Sequence, residues 1–135
     1  MTFYVAPGGN DANLGINWAQ PKFTIQSAID AAGVGDVVMV TNGVYDSGTR
    51  VTPGFHVSNR VVITRNITVQ SVNGPSVTFI SGLNGTSGSL ADSVRCVYIT
   101  NGVLSGFSLT NGSTVASGGA ENDLSGGRAS AMTTT

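Results

Sequence analysis

Short runs of branched apolar residues, each followed by turn residues, restrict the fold of this chain more than any other feature. Typical runs are residues 37–40, 61–63, 67–69 and 96–99. β-Branched side chains are stiff about χ1 and favour strands. The Asn-Gly pairs that recur between runs tolerate the positive φ of tight turns. The sequence therefore predicts an all-β domain of many short strands.

One segment departs from this pattern and has the periodicity of a helix. Four apolar residues fall at positions i, i+3, i+4 and i+7, which places them on one helix face. They are Ile25, Ala28, Ile29 and Ala32. Thr24 is a predicted N-cap and Gly33 a predicted stop. We therefore predict one helix over residues 24–32.

Two β architectures fit the strands. In an antiparallel meander or sandwich, Asn-Gly marks hairpin turns, and Asn101-Gly102 is a good hairpin candidate. In a parallel solenoid, short strands bend at polar corners, as 61–63 and 67–69 do across three residues. The pattern alone leaves both open and slightly favours the solenoid.

Several segments together resemble a known superfamily. The strand and Gly/Asp/Asn loop of residues 3–13, Trp18-Ala19, the helix, the Gly-Asp entry at 35–40 and the strand of residues 95–102 carry the likeness. They resemble bacterial secreted right-handed parallel β-helix proteins of the pectate-lyase-like superfamily. The resemblance implies a β-helix over residues 1–112, with a short N-terminal capping helix.

The resemblance implies a parent protein that acts outside the cell or at its surface, on carbohydrate or attached to it. The superfamily includes lyases, hydrolases, epimerases, esterases, adhesins and phage tailspikes, so the fold alone does not decide an activity. Three classes stay open: a lyase, glycosidase or esterase, a non-catalytic carbohydrate-binding module, and a structural repeat. We expect the binding or structural class, with a polysaccharide or small sugar as partner.

The tail differs from the rest of the chain. Residues 113–135 are small and polar, where resembling proteins continue with another apolar strand. We interpret this as a truncated or frame-shifted reading frame from a cloned environmental fragment, which stops after about five coils. An open C-terminal strand edge predicts a homo-oligomer, whereas a tail folded over that edge would act as a cap.

Composition argues against other classes. The net charge of −1 provides no basic field for nucleic acid. No apolar run approaches the roughly 20 residues of a membrane span, and no signal peptide is predicted within the chain. A single cysteine, Cys96, excludes an internal disulfide, and it is predicted to be a small core residue.

Candidate catalytic residues are few. His56 is the only histidine, and it could act as a general base with Asp46 as its partner. The resemblance adds Arg60, because polysaccharide lyases of this fold use Arg or Lys to abstract a proton. The sequence favours the other explanation, that His56 is a histidine on a surface loop without catalytic function.

Candidate ligand-binding residues are aromatic or cationic. Tyr45 and Phe55 could stack on sugar rings, whereas Trp18 is predicted to lie in the core or cap. The resemblance implies that Arg50 and Arg65 bind uronate carboxylates. Ordinary solvation or ion pairing explains the same arginines.

A metal site is predicted in the first loop. Asp11 and Asn13 have a spacing compatible with Ca²⁺ coordination, although the bidentate Glu of an EF-hand loop is missing. Local Asx-turn hydrogen bonds explain the same two residues. No other cofactor is predicted.

Overall fold

The computed structural model describes residues 1–51, 58–82 and 94–110. Within these ranges it is mostly β, which confirms the all-β prediction. The described residues contain one helix, α1, which spans Ile25–Ala31. The strands are β1 (Thr2–Val5), β2 (Val37–Val40), β3 (Gly43–Tyr45), β4 (Arg50–Val51), β5 (Ser58–Ile63), β6 (Thr68–Ser71), β7 (Thr78–Ser81), β8 (Val94–Ile99), β9 (Val103–Ser105) and β10 (Ser108–Thr110).

The strands form three short sheets, two of them wholly parallel. Sheet A has the order β1-β2-β6-β9, sheet B β3-β7-β10 and sheet C β4-β5-β8. The β4–β5 pair is antiparallel, and every other pair is parallel. From β2 onward the chain passes through sheets A, B and C and then repeats that order. Apart from the neighbouring β4 and β5, the strands therefore pair with strands distant in sequence.

This topology overturns the hairpin prediction at Asn101-Gly102. The strand before the pair, β8, lies in sheet C, and the strand after it, β9, lies in sheet A. Asn101-Gly102 is therefore a corner between sheets. The apolar-rich segment 103–109, which the sequence indicates as one further strand, divides in two, because Gly106 and Phe107 separate β9 from β10.

The sequence contains three Thr-Asn-Gly triplets, beginning at Thr41, Thr100 and Thr110, which suggest a weak internal repeat. The two triplets that the structure describes in full do not mark equivalent positions. Residues 41–43 connect sheet A to sheet B, whereas residues 100–102 connect sheet C to sheet A. The third copy, beginning at Thr110, continues outside the described residues. The tail of residues 113–135 also lies outside them, so its predicted role as a cap stays a prediction. The structural repeat follows strand register rather than these triplets.

Rows of inward side chains build the core. In sheet A, Phe3, Val38, Val69 and Leu104 are register partners across all four strands, and each is buried. Full burial of such a side chain contributes roughly 1.5–3 kcal/mol. Cys96 is completely buried, which confirms its predicted place in the core.

The helix forms where the periodicity predicted it. The Thr24 side chain accepts a hydrogen bond from the Ser27 amide at 3.3 Å, so the predicted N-cap is confirmed. The helix ends at Ala31, with Ala32 as its C-cap, one residue before the predicted stop Gly33. Its buried face packs on β1, β2 and β5.

A loop covers the outer edge of β1. The Tyr4 amide donates to the Gly15 carbonyl at 2.7 Å, and the Tyr4 carbonyl accepts from the Lys22 amide at 2.9 Å. The Ala6 amide donates to the Lys22 carbonyl at 3.0 Å. The first edge of sheet A therefore has its backbone groups satisfied. Over the described residues, α1 is too short to cross a membrane.

Candidate functional site

A small surface cavity, the first cavity, brings three of the predicted site residues together. Tyr45, Asp46 and Arg60 line it. Its volume is about 30 Å³, which is room for one or two water molecules. The cavity is therefore too small to enclose a ligand, which could only bind over its opening. The other lining residues come from the N-terminal loop, α1, β3 and the strands beneath, and are Pro7, Phe23, Thr24, Ile25, Val44, Ser47, Val61 and Ile80.

Arg60 is held in place at this cavity by backbone carbonyls. Its Nε donates to the Ser81 carbonyl at 2.6 Å, and its Nη1 donates to the Gly48 carbonyl at 2.9 Å. Two bonds in different directions fix the guanidinium plane. Asp46 is exposed at the same cavity. The pair therefore offers one carboxylate and one oriented cation to a bound polar group.

Tyr45 is a structural residue rather than a stacking platform. Only 7% of it is exposed, and its hydroxyl donates to the Thr41 carbonyl at 2.8 Å. Burial raises the pKa of the Tyr45 phenol, so it stays a neutral donor at physiological pH. A sugar ring cannot stack on a buried ring.

A second cavity brings Arg50 and Arg65 together. It has a volume of about 210 Å³ and lies between α1 and sheet C. Its lining residues are Gln26, Ile29, Asp30, Arg50, Val51, Val62, Thr64 and Arg65. The two arginines predicted to bind ligand therefore do share a surface recess.

Both arginines already have partners on α1. Arg50 forms a two-pronged ion pair with Asp30, with nitrogen–oxygen distances of 3.1 and 2.5 Å. Arg65 donates to the Ile29 and Ala32 carbonyls at 2.7 and 2.5 Å. A cation at the carbonyls of the last helical turn and its cap stabilises the helix C-terminus. These contacts attach the helix to the strands beside it.

The titration of Asp30 follows from these contacts. Burial acts to raise the pKa of Asp30, but hydrogen bonds from Arg50 and Gln26 outweigh it and lower that pKa below its ordinary value. The Asp30 hydrogen bond in turn raises the pKa of Arg50. Both groups are therefore charged at neutral pH. Neither Asp30 nor Gln26 was predicted from the sequence, although their i, i+4 spacing on a helix was visible.

The first loop holds a cation of its own. Lys22 is a buried residue, and its ammonium donates to the Asp11 and Asn13 carbonyls at 3.0 and 2.7 Å. The Asn13 side chain donates to the Pro21 carbonyl at 2.8 Å. Backbone oxygens that a metal could use are therefore already bound to an ammonium group.

The Asp11 carboxylate is also engaged. Its Oδ1 accepts the Phe23 and Thr24 amides, each at 2.8 Å, and its Oδ2 accepts the Thr24 hydroxyl at 2.9 Å. Asp11 thus joins the loop to the start of α1. Across residues 1–51, 58–82 and 94–110, no group of three His, Cys, Asp or Glu side chains could hold a metal ion. The Ca²⁺ site stays a prediction.

Two predicted residues, Phe55 and His56, lie outside the described residues. Trp18, predicted to be in the core or cap, is 46% exposed. Its ring meets Tyr4 edge to face, with centroids 4.6 Å apart. Arg95, by contrast, is completely buried, and its Nε donates to Asn59 at 2.8 Å.

Comparison with known proteins adds no relative. No family model matches the chain, and neither the curated proteins nor the solved structures contain a significant match.

Proposed function

We propose that the chain is a right-handed parallel β-helix. The repeating passage through sheets A, B and C supports this, because each circuit adds one parallel strand to each sheet. The register partners Val37, Thr68 and Val103 mark successive coils. Right-handed crossovers are the general rule for parallel strands. The sheets are short and one strand pair is antiparallel, so the proposal rests on the order in which the chain passes through the three sheets.

We propose that this β-helix is a non-catalytic, carbohydrate-associated module that forms homo-oligomers, and that its parent protein works outside the cell or at its surface. One observation supports the proposal of a homo-oligomer. The outermost strands β8, β9 and β10 lie at the same end of their three sheets. Among the described residues, no strand pairs with the outer edges of β9 and β10. Such parallel edges are templates for strand addition.

The partner proposed at these edges is a second copy of the chain. Two copies related by a two-fold axis would present identical edges to each other and close the contact. The location and the carbohydrate association draw their support from the resemblance of the N-terminal segments. The engaged arginines and Asp11 support a structural role for the polar residues.

Light scattering with an edge variant tests the oligomer. Val103 lies on β9 and is 47% exposed, so Val103→Lys places a charge on each copy near the proposed two-fold contact. We expect wild type to have twice the mass of one chain at micromolar concentration, and the variant to have the mass of one chain. Lysine on an edge strand opposes pairing.

Val34→Lys is the matched control. Val34 is 72% exposed in the loop before β2, so the same charge is added away from the proposed contact. We expect this control to keep the wild-type mass. A wild type that stays one chain in mass at every concentration would disprove the oligomer. If both variants dissociate the oligomer equally, the added net charge, and not its position on β9, causes the dissociation.

An enzyme is the second candidate, supported by Asp46 beside the oriented Arg60. The test is a screen of pectin, alginate, xylan and simple esters with purified chain, with Ca²⁺ or with chelator. We expect no turnover. If turnover occurs, the enzyme candidate predicts a loss of about 100-fold or more in Asp46→Asn. Because Asp46 is exposed, the unfolding midpoint of that variant should match wild type.

A further inference from the structure

The outer face of sheet A carries two rows of side chains that point away from the core. The alternation along each strand buries one residue and leaves the next half-buried or exposed. The rows follow the strand register. They are Thr2, Val37, Thr68 and Val103, and Tyr4, Met39, Gln70 and Ser105.

The chemistry of this face is uncharged throughout. Its eight side chains comprise hydroxyls, one amide, one phenol and apolar groups, and none is an acid or a base. Beside the first row, the N-terminal amine and Asp36 form an ion pair with a nitrogen–oxygen distance of 2.9 Å. A face of this kind offers no electrostatic attraction to an acidic or a basic partner.

Trp18 lies at one end of the second row. It contacts Tyr4, the first member of that row, and almost half of its surface remains free. The loop that carries it is fixed, because Asn17 Oδ1 accepts the Gln20 amide at 2.9 Å and the Gly15 amide donates to the Gln20 carbonyl. The indole is therefore held in position before any ligand arrives. Preorganisation of this kind lowers the entropic cost of binding.

An exposed aromatic followed by polar side chains suits a sugar chain. The C–H face of a pyranose packs on an aromatic ring, while its hydroxyls bond to amide and hydroxyl groups. Along the second row, successive strands are about 4.8 Å apart, so Tyr4 and Ser105 lie about 14 Å apart. That row would span several sugar rings.

We propose that Trp18 and the Tyr4–Met39–Gln70–Ser105 row bind a neutral polysaccharide across sheet A. The inference rests on the proposed carbohydrate association and gives it a site and a ligand class. It is independent of the first cavity, where Asp46 and Arg60 are charged. It also predicts that acidic glycans, which lack a cationic partner on this face, bind more weakly.

The test begins with the fluorescence of the single tryptophan. Wild-type chain is titrated with xylohexaose and cellohexaose as neutral probes and with oligogalacturonate as the acidic probe. We expect one of the neutral probes to shift Trp18 emission and saturate, and oligogalacturonate to require at least tenfold higher concentration. No emission change with any probe overturns the site, and so does a preference for oligogalacturonate.

Variants then locate the binding by native gel electrophoresis in soluble xylan or β-glucan. We expect at least tenfold weaker retardation for Trp18→Ala, a partial loss for Gln70→Ala, and near wild-type binding for Trp18→Phe. Leu14→Ala is the control, since Leu14 is 68% exposed in the same loop. Light scattering of Trp18→Ala is recorded in parallel.

The outcomes separate this site from the broader proposal. Retardation that survives Trp18→Ala overturns the site but leaves carbohydrate association intact. Absence of retardation in wild type, on every neutral and acidic polymer, overturns both. A Trp18→Ala chain that loses its oligomeric mass identifies the face as a contact between copies and overturns the site as well.

Discussion

Gly102→Ala is expected to destabilise the chain by about 3–5 kcal/mol. Gly102 has φ +89° at the corner between sheets C and A. A Cβ there would lie 2.5 Å from the Ile67 carbonyl oxygen and 2.7 Å from that of Arg65. These are backbone atoms of the neighbouring corner, and they cannot move aside without breaking the β6–β9 pairing. Urea unfolding followed by circular dichroism measures the loss.

Gly74→Ala is the control that separates the two causes. Gly74 has φ +92°, almost the same backbone strain, but a Cβ there would meet no heavy atom within 4 Å. Positive φ alone costs an alanine about 1–2 kcal/mol. We expect Gly74→Ala to lose only that amount. Equal losses in the two variants would show that close stacking of the corners contributes nothing.

Lys22→Met is expected to cost about 2–4 kcal/mol. The substitution keeps the length of the aliphatic chain but removes the ammonium that binds the Asp11 and Asn13 carbonyls. Both carbonyls would remain in a partly buried site without their donor. Relief of burying the charge offsets part of the loss. Urea unfolding gives the free energy, and hydrogen exchange shows whether the loop amides lose protection.

Gln20→Met is the matched control for this variant. Gln20 is exposed two residues earlier, and only its backbone groups make hydrogen bonds. We expect its unfolding free energy to change by less than about 0.5 kcal/mol. If Lys22→Met also changes the unfolding free energy by less than that amount, the Lys22 ammonium does not stabilise the loop.

Local signals predicted the local structure well. Thr24 and the apolar spacing after it predicted the helix, since an N-cap and an amphipathic face depend on neighbouring residues. Val38 and Val69 lie within predicted strands because branched residues favour pleated backbone wherever they pair. The hairpin at Asn101-Gly102 was wrong because a positive φ suits several kinds of turn, and only the pairing of distant strands distinguishes them.

The site was harder to predict, because its contacts join residues far apart in sequence. Nothing near Arg65 shows that it binds carbonyls of a helix more than thirty residues earlier, and nothing near Arg60 indicates Ser81. Trp18, predicted to lie in the core or cap, lies in the loop that covers β1 and is not a core residue. Its apolar character suggested burial, but a loop held by its own backbone hydrogen bonds leaves the ring half exposed.

The three corners of the circuit differ in how much change they can accept. The connections from sheet C to sheet A are short and stack on one another, as Gly102 does on Ile67. Those between the parallel strands of sheets B and C are longer: β3 ends at residue 45 and β5 begins at residue 58, with β4 between them, and β7 ends at 81 and β8 begins at 94. We expect insertions outside β4 on this flank to leave the register of all three sheets unchanged. New loops, and any new specificity they carry, can therefore arise on one flank of the molecule while the opposite corners hold the coils together.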